Sequence, residues 1–254
     1  MKNEEKLNLA KNYYIGKIYI TNENYKITVI GYENKKKVSI QFENGYITNV
    51  MINNIKKGAI KNPYHPSVFN LGYYGVGKYR AKINRVDTKS YKTWYNMFLR
   101  CYSKKIQEKQ PTYTVCSIDE RWHNFQNFAE WYEENYKEGF QLDKDILIKG
   151  NKIYSPETCC FVPQKINILF IKNNINRGKY PIGVVKEGNR YIACLKLGHG
   201  IQKYLGTFDT IEEAFNAYKI AKEAYIKEVA NKWKDQITEE CYEAMYNYKV
   251  EITD

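Results

Sequence analysis

The sequence predicts an α+β protein of several domains, because four patterns follow one another along its 254 residues. Short runs rich in Ile, Val and Tyr come first and predict a small β-rich domain. Two aromatic stripes at helical spacing follow, and then a strand–strand–helix pattern. Three short strands and one long helix come last. A chain of this length is typical of two or three domains.

The composition shifts between these patterns set the predicted boundaries. We expect a small β-barrel over residues 1–62, a linker over 63–87, a ββα module over 88–173, a three-stranded sheet packed on one helix over 179–235, and a C-terminal tail or helix over 236–254. The stretch that follows Ile171 is polar and basic and predicts a hinge between the last two modules.

The net charge of +12 and the pI near 9.2 favour a polyanionic partner, with nucleic acid first. The charge is uneven: residues 1–80 have 13 Lys/Arg and 5 acids, residues 172–208 have 7 and 1, and residues 209–254 have 6 and 11. An AT-rich genome also produces lysine-rich proteins, and surface lysines are usually only solvated.

The N-terminus does not have the pattern of a secretory signal, and no apolar run is long enough for a membrane span. The six cysteines follow no repeated spacing. We therefore expect reduced thiols, no membrane partner and a cytoplasmic location, in the host cell if the gene belongs to a phage.

Residues 13–60 contain four strand-like runs separated by turns at Asn-Glu-Asn, Glu-Asn-Lys-Lys and Glu-Asn-Gly. Strands at this spacing predict a small, strongly bent barrel of SH3-like size.

Two helices are predicted next, over residues 88–105 and about 120–136. The first has Asp87 or Thr88 as its candidate cap. Aromatic residues recur at three- and four-residue steps in both, and stripes of this kind are typical of a buried core.

The stretch from Leu142 to Asn167 predicts two short strands around a Gly-Asn turn, followed by a helix. Asp143 and Asp145 stand at its start, and Asn167 is on the helix. Two carboxylates and an amide are hard oxygen ligands, so the candidate metal site of Asp143, Asp145 and Asn167 is suited to Mg²⁺ or Mn²⁺.

The segment from Trp94 to Asn167 resembles the HNH (ββα-metal) nucleases of phages and mobile elements. The matching features are the carboxylate at the end of the first strand, the Gly150-Asn151 turn, the strand Cys160–Pro163 and Asn167. The resemblance implies cleavage of a phosphodiester with one divalent metal, which stabilises the leaving oxygen.

The base of that mechanism should be a histidine after the first carboxylate, and this chain has Lys144 there, or Ile146 if Asp145 is the aligned ligand. A lysine beside two carboxylates stays protonated. Three interpretations are open. The chain is a degenerate nuclease kept for DNA binding, or a nuclease in which Lys144 stabilises charge on the phosphate, a metal-bound water is the nucleophile and Asp145 is catalytic, or the stretch is a strand with solvated charges.

Cys101, Cys116, Cys159 and Cys160 flank this module. They lack a CxxC knuckle, and neighbouring residues in a strand point to opposite faces. We therefore expect buried thiols rather than a zinc site.

The last module has three short strands and a helix with Asp209 or Thr210 as its cap. An alternating pattern predicts four basic residues along one sheet face, with two tyrosines beside them. These candidate DNA-binding residues are Lys186, Arg190, Tyr191, Lys196, Lys203 and Tyr204.

This module, from about Lys179 to Trp233, resembles the plant ethylene-response-factor (APETALA-type) DNA-binding domain, most closely in YLGTFDTIEEA. The resemblance implies a sheet that enters the major groove of double-stranded DNA. Only Arg190 is an arginine here, and Val185 stands where an arginine is usual. Lysines read bases less well than arginines, so we expect weak sequence selectivity.

Two functions follow from these observations. The first is a phage or mobile-element protein that binds double-stranded DNA with little sequence preference and resembles a metal-dependent HNH homing endonuclease. The second is a non-enzymatic binder of DNA or of a host nucleoprotein complex, acting as a regulator or as an anti-CRISPR-like inhibitor of host defence.

Overall fold

The computed structural model describes residues 3–171, 179–198 and 201–254. The prediction of an α+β protein is confirmed: this part of the chain has eight α-helices and five small sheets. The chain divides into two compact units, Met1–Tyr79 with Asn124–Gln126, and Arg80–His123 with Asn127–Asp254. Residues 172–178, which make up most of the predicted basic hinge after Ile171, lie outside the described residues, as do residues 199 and 200.

The first unit is built on a four-stranded antiparallel sheet in the order β1-β2-β3-β4. Its elements are α1 (Asn3–Tyr14), β1 (Ile18–Ile20), β2 (Lys26–Asn34), β3 (Lys37–Phe42), β4 (Ile47–Val50) and α2 (Ile52–Lys56). Alternate residues of β2 and β3 are buried, as the period of a half-buried strand requires. The chain beyond α2 is irregular, apart from a bridge between Val68 and Gly72.

No closed barrel forms in the part of the first unit that the structure describes, because the pairing ends at β1 and β4. Helix α1, which the sequence pattern did not predict, packs on the sheet core through Leu7, Ala10 and Tyr14. A helix that covers the apolar face removes the need to close the sheet on itself.

The second unit starts with a short hairpin and two aromatic helices. Its first elements are β5 (Lys82–Ile83), β6 (Val86–Asp87), α3 (Lys89–Tyr102), α4 (Lys104–Lys109), β7 (Ser117–Ile118) and α5 (Phe125–Asn135), whose first two residues belong to the first unit. Thr88 caps α3 through a bond from the Tyr91 N–H. Residues 120–123, predicted as helix, form a 3₁₀ turn. The aromatic stripes are buried, with Trp94 and Trp122 at 0% and 1% exposure.

The predicted strand–strand–helix pattern follows, as β8 (Phe140–Asp143), β9 (Ile153–Tyr154), β10 (Cys160–Pro163) and α6 (Gln164–Leu169). Strands β8 and β10 pair antiparallel, with Asp143 opposite Cys160. The Gly-Asn turn does not join the two paired strands directly, because it leads into β9, which pairs with β7.

The chain ends with β11 (Val184–Glu187), β12 (Arg190–Gly198), β13 (Ile201–Phe208), α7 (Ile211–Trp233) and α8 (Glu239–Tyr246). Thr210 and Glu213 form a capping box at the start of α7. Gly183 passes close to this helix, and a Cβ there would collide with the ring of Tyr218.

Helix α7 serves two cores. Its first half packs on the three-stranded sheet through Ala214, Phe215 and Tyr218. Its second half packs on β10 and α6 through Ile226 and Ala230. One continuous helix therefore holds the three-stranded sheet and the hairpin, which is our name for β8, β10 and the loop between them. Among the described residues, no helix has the length and apolar character needed to cross a membrane.

Candidate functional site

The hairpin carboxylate Asp143 closes a turn at the end of β8. Its Oδ1 accepts hydrogen bonds from the backbone N–H groups of Asp145 and Ile146, both at 2.9 Å. Burial, and then the negative charge of Asp145, raise the pKa of Asp143 to about 6, although the two backbone bonds oppose this shift. The Asp143 side chain thus has a structural partner in the first turn of the loop.

Lys144 is a buried residue, and its side chain is 10% exposed. Its Nζ lies 3.0 Å from Asp145 Oδ2 and 3.2 Å from the Asn151 carbonyl oxygen. Burial alone would lower the pKa of Lys144, but the charge and hydrogen bond of Asp145 outweigh it, and the pKa is raised. Lys144 is therefore an ammonium ion at neutral pH and cannot act as a general base.

Asn151 ties the far side of the same loop. Its Nδ2 donates to the carbonyl oxygens of Lys144, at 2.6 Å, and Ile153, at 2.7 Å. Gly150 before it has φ +80°, which glycine adopts without strain. The side chains of Asp143, Lys144 and Asn151 thus bond to other groups of the same loop.

The side-chain amide of Asn167 donates to Gln141 Oε1 at 3.0 Å. No hydrogen bond joins Asn167 to Asp143 or Asp145 in the described parts of the chain. Across the same residues, no group of three or more His, Cys, Asp or Glu side chains is placed to hold a metal ion.

The ammonium of Lys144 already neutralises the Asp145 carboxylate, because it lies 3.0 Å from Oδ2. A second cation at that carboxylate would meet like-charge repulsion. The metal role of Asp143, Asp145 and Asn167, and the catalytic role of Lys144 and Asp145, stay predictions.

The four cysteines that flank the hairpin are buried, as predicted. Burial raises the pKa of Cys101 and of Cys159 to about 12. The Sγ atoms of Cys160 and Cys241 lie 3.8 Å apart, where β10 meets α8.

The three-stranded sheet has two unlike faces. One face packs on α7 through Val184, Ala193 and Leu195. The register places another set of residues on the opposite side, which we name the open face. The open face consists of Val185, Glu187, Arg190, Ile192, Cys194, Lys196, Gln202, Tyr204 and Thr207.

The structure divides the six predicted DNA-binding residues between these faces. Arg190, Lys196 and Tyr204 lie on the open face. Lys186 pairs with Tyr191, which packs on the helix side, and Lys203 pairs with the buried Leu195. The prediction that the four basic residues lie along one sheet face is therefore wrong for Lys186 and Lys203.

The two-residue turn after β11 explains this division. Glu187 pairs with Arg190, so residues with even numbers in β12 share a face with residues with odd numbers in β11. Counting alternate residues along the chain cannot place Lys186 unless the turn length is used as well. A bulge between Ala193 and Cys194 similarly brings Thr207 to the open face.

Sequence patterns missed Gln202 and Thr207 as open-face residues. Gln202 pairs with Lys196, and Thr207 pairs with Ile192. The signal available for Thr207 was Gly206, whose φ of +141° occurs at the bulge. The Tyr204 hydroxyl and Thr207 Oγ1 lie 2.7 Å apart.

Arg190 is exposed but held in place. Its Nε donates to Asp209 Oδ1 at 2.9 Å, and its Nη2 donates to the Thr207 carbonyl at 3.4 Å. An exposed ion pair of this kind is weak, so a phosphate or a base edge can compete for the guanidinium.

Comparison of the chain with protein-family models, with curated proteins and with solved structures found no match. The geometry of the open face and of the hairpin therefore carries the functional inference.

Proposed function

We propose that this protein binds double-stranded DNA through the open face of its C-terminal sheet and does not cleave it. The observation that supports this most strongly is the sheet itself: one face is buried on a helix, while the other presents donors and a ring to solvent. A sheet of this kind fits the DNA major groove.

The charge of the sheet and of the segment before it supports a polyanionic ligand, although it does not distinguish the two faces. The strands and the segment before them have 7 Lys/Arg and one acid over residues 172–208. Helix α7, on the other side of the sheet, begins with Glu212 and Glu213. Phosphate groups would be attracted to the sheet and repelled from the start of the helix.

The chemistry of the open face predicts weak sequence selectivity. Arg190 is its one arginine, and Asp209 competes for that guanidinium. Lys196 is a point charge suited to phosphate. Gln202 and Thr207 are only two further polar side chains for hydrogen bonds to base edges. Phosphate contacts would supply most of the affinity.

The absence of cleavage is proposed from the hairpin. Asp143 binds two backbone N–H groups, and Lys144 and Asp145 bind each other. Hydrogen bonds and an ion pair thus hold these residues within the loop. A protonated lysine stands at the position where the resemblance implies a histidine as the base.

Cys194 provides a test of the binding face in the wild-type protein. It lies on the open face and is partly exposed, whereas the other five cysteines, all in described segments, are buried. We expect iodoacetamide to modify Cys194 first. A saturating duplex of about 20 base pairs, or two helical turns, should slow this reaction several-fold. An unchanged rate of Cys194 modification, when an electrophoretic mobility shift shows that the duplex is bound, would show that DNA binds elsewhere.

A nicking assay tests the other half of the proposal. Supercoiled plasmid is incubated with the protein and Mg²⁺ or Mn²⁺, beside an Asp145→Ala variant. We expect no conversion to nicked circles. Nicking by the wild type that Asp145→Ala abolishes would establish a nuclease and overturn this half.

A further inference from the structure

The first unit has a cleft lined by three tyrosines. The turn between β3 and β4 contributes Asn44, Gly45 and Tyr46, and the irregular segment after α2 contributes Tyr64 and Tyr73. The cleft has a volume of about 530 Å³ and opens to solvent. This size lies within the range of small-ligand sites, about 300–1,000 Å³.

The three rings are held in a continuous wall. The Tyr46 ring stacks on the buried Phe42 ring at a centroid distance of 5.8 Å. The Tyr64 ring meets the Tyr46 ring edge-on at a centroid distance of 5.8 Å, and it lies tilted against the Tyr73 ring at 5.9 Å. Aromatic neighbours at these distances fix one another's orientation, so the wall is preformed.

Local hydrogen bonds hold the two segments that carry the rings. Asn44 Oδ1 accepts from the Tyr46 N–H at 3.1 Å, and Asn62 Oδ1 accepts from the Tyr64 N–H at 3.0 Å. The Tyr64 side chain nevertheless remains 39% exposed. Its ring therefore has surface available for a ligand without a change of backbone.

The charge of the unit selects the class of ligand. Residues 1–79 contain 12 lysines and 5 glutamates, and residues 124–126 contain no charge. The lining residues include no carboxylate, and the neighbouring Glu43 lies 3.6 Å from the Lys26 ammonium. A cationic ligand, which aromatic cages bind elsewhere, would be repelled by this unit.

We propose that the tyrosine cleft binds unpaired nucleobases of single-stranded nucleic acid. Aromatic rings in a basic setting stack on bases of any sequence, and the tyrosine hydroxyls and the Asn44 amide can meet base edges. The site is separate from the open face, and it rests on the proposed function only in that both ligands are nucleic acids.

The test uses the full chain and a fluorescent eight-residue thymidine oligonucleotide, beside an abasic oligonucleotide of the same length. We expect the thymidine oligonucleotide to bind at least about fivefold more tightly, because an abasic chain has no base to stack on the tyrosine rings. Tyr64→Ala should remove most of this difference, and Tyr64→Phe should keep it. Equal binding of the two oligonucleotides would overturn the proposal.

Tyr13→Ala is the matched control, because Tyr13 is an exposed tyrosine of α1 outside the cleft. Loss of the base preference in Tyr13→Ala as well as in Tyr64→Ala would show an effect not located in the cleft and would overturn it. Displacement of the thymidine oligonucleotide by a trimethyllysine peptide would also overturn the proposal.

The open face is assessed separately with Tyr204→Ala and duplex DNA. We expect Tyr204→Ala to weaken duplex binding and leave the thymidine preference intact. Tyr64→Ala should remove the thymidine preference and leave duplex binding intact. If no variant changes duplex binding, the proposed function fails while the cleft stands. If only the thymidine preference is missing, the cleft proposal fails alone.

Discussion

The hairpin loop and the open face contain similar residues but use them in opposite ways. In the loop, Lys144, Asp145 and Asn151 bond to one another and to the backbone. On the open face, Lys196 and Gln202 point to solvent from paired strands. A charge whose partner is inside the protein stabilises the fold, whereas a charge without one is available to a ligand.

Helix α7 makes this comparison informative, because it packs beside the hairpin and on the face of the sheet that lies opposite the open face. A change in the hairpin that acts only on stability should leave the open face able to bind. A change on the open face should alter binding and leave stability nearly constant. The following variants separate these two kinds of effect, from the largest expected free-energy change to the smallest.

Asp143→Asn should raise the stability of the protein at pH 7. A carboxyl whose folded pKa is about 6 instead of 3.8 binds protons more strongly in the folded state, so stability is lost as the pH rises from about 4 to about 6. The full loss is at most about 3 kcal/mol. Asparagine keeps the Oδ1 acceptor without the charge. The free energy of unfolding, measured with urea at several pH values, should therefore fall less in Asp143→Asn than in the wild type between about pH 4 and pH 6.

Asp235→Asn is the control for this change, because Asp235 is an exposed acid after α7. It should alter stability by less than about 0.5 kcal/mol. Stabilisation of the wild type by Mg²⁺, absent in Asp143→Asn, would instead indicate that the hairpin is a metal site.

Lys144→Met should lower the free energy of unfolding by about 2 kcal/mol, because it leaves Asp145 and the Asn151 carbonyl without their partner. This is less than for a fully buried pair, since the Asp145 side chain is 39% exposed. Lys152→Met, at an exposed lysine in the same loop, is the control. Duplex affinity should stay the same in both variants; a large loss in Lys144→Met alone, with the fold intact, would indicate that Lys144 contacts DNA.

Glu187→Gln should tighten duplex binding about two- to fivefold at low salt, because it removes a negative charge from the open face, where phosphates would approach. Glu212→Gln removes the same charge from the first turn of α7 and should have a smaller effect. Titrations of a labelled duplex measure both. Equal effects would mean that net charge, rather than the face, governs binding.

Sequence patterns predicted the elements that depend on local signals. Thr88 and Thr210 cap their helices through side-chain bonds that short segments provide. The pattern also predicted strands on both sides of the Gly-Asn turn followed by a helix, and β8, β9 and α6 have this order, while β10 was a strand that the resemblance implied. Helix α1 was missed because its weak apolar pattern depends on packing against the sheet.

The site could be predicted only in part, because its decisive features involve distant or coupled residues. The pairing of Glu187 with Arg190 moves Lys186 to the other face, which composition does not show. The bond between Lys144 and the Asn151 carbonyl requires the loop to fold back over seven residues. Local spacing identifies the residue types present, and tertiary structure decides which of them are free to bind.

Duplex binding by two matched double variants tests the role of the open face most directly. Arg190→Ala with Lys196→Ala removes two positive charges from the open face. Lys186→Ala with Lys203→Ala removes two from residues on the helix side of the same sheet. Fluorescence anisotropy over a range of salt concentrations measures both. We expect the first pair to weaken binding about tenfold or more, with a clearly lower salt dependence, and the second pair to have a much smaller effect. Equal losses from the two pairs, or a larger loss from the second, would contradict binding through the open face.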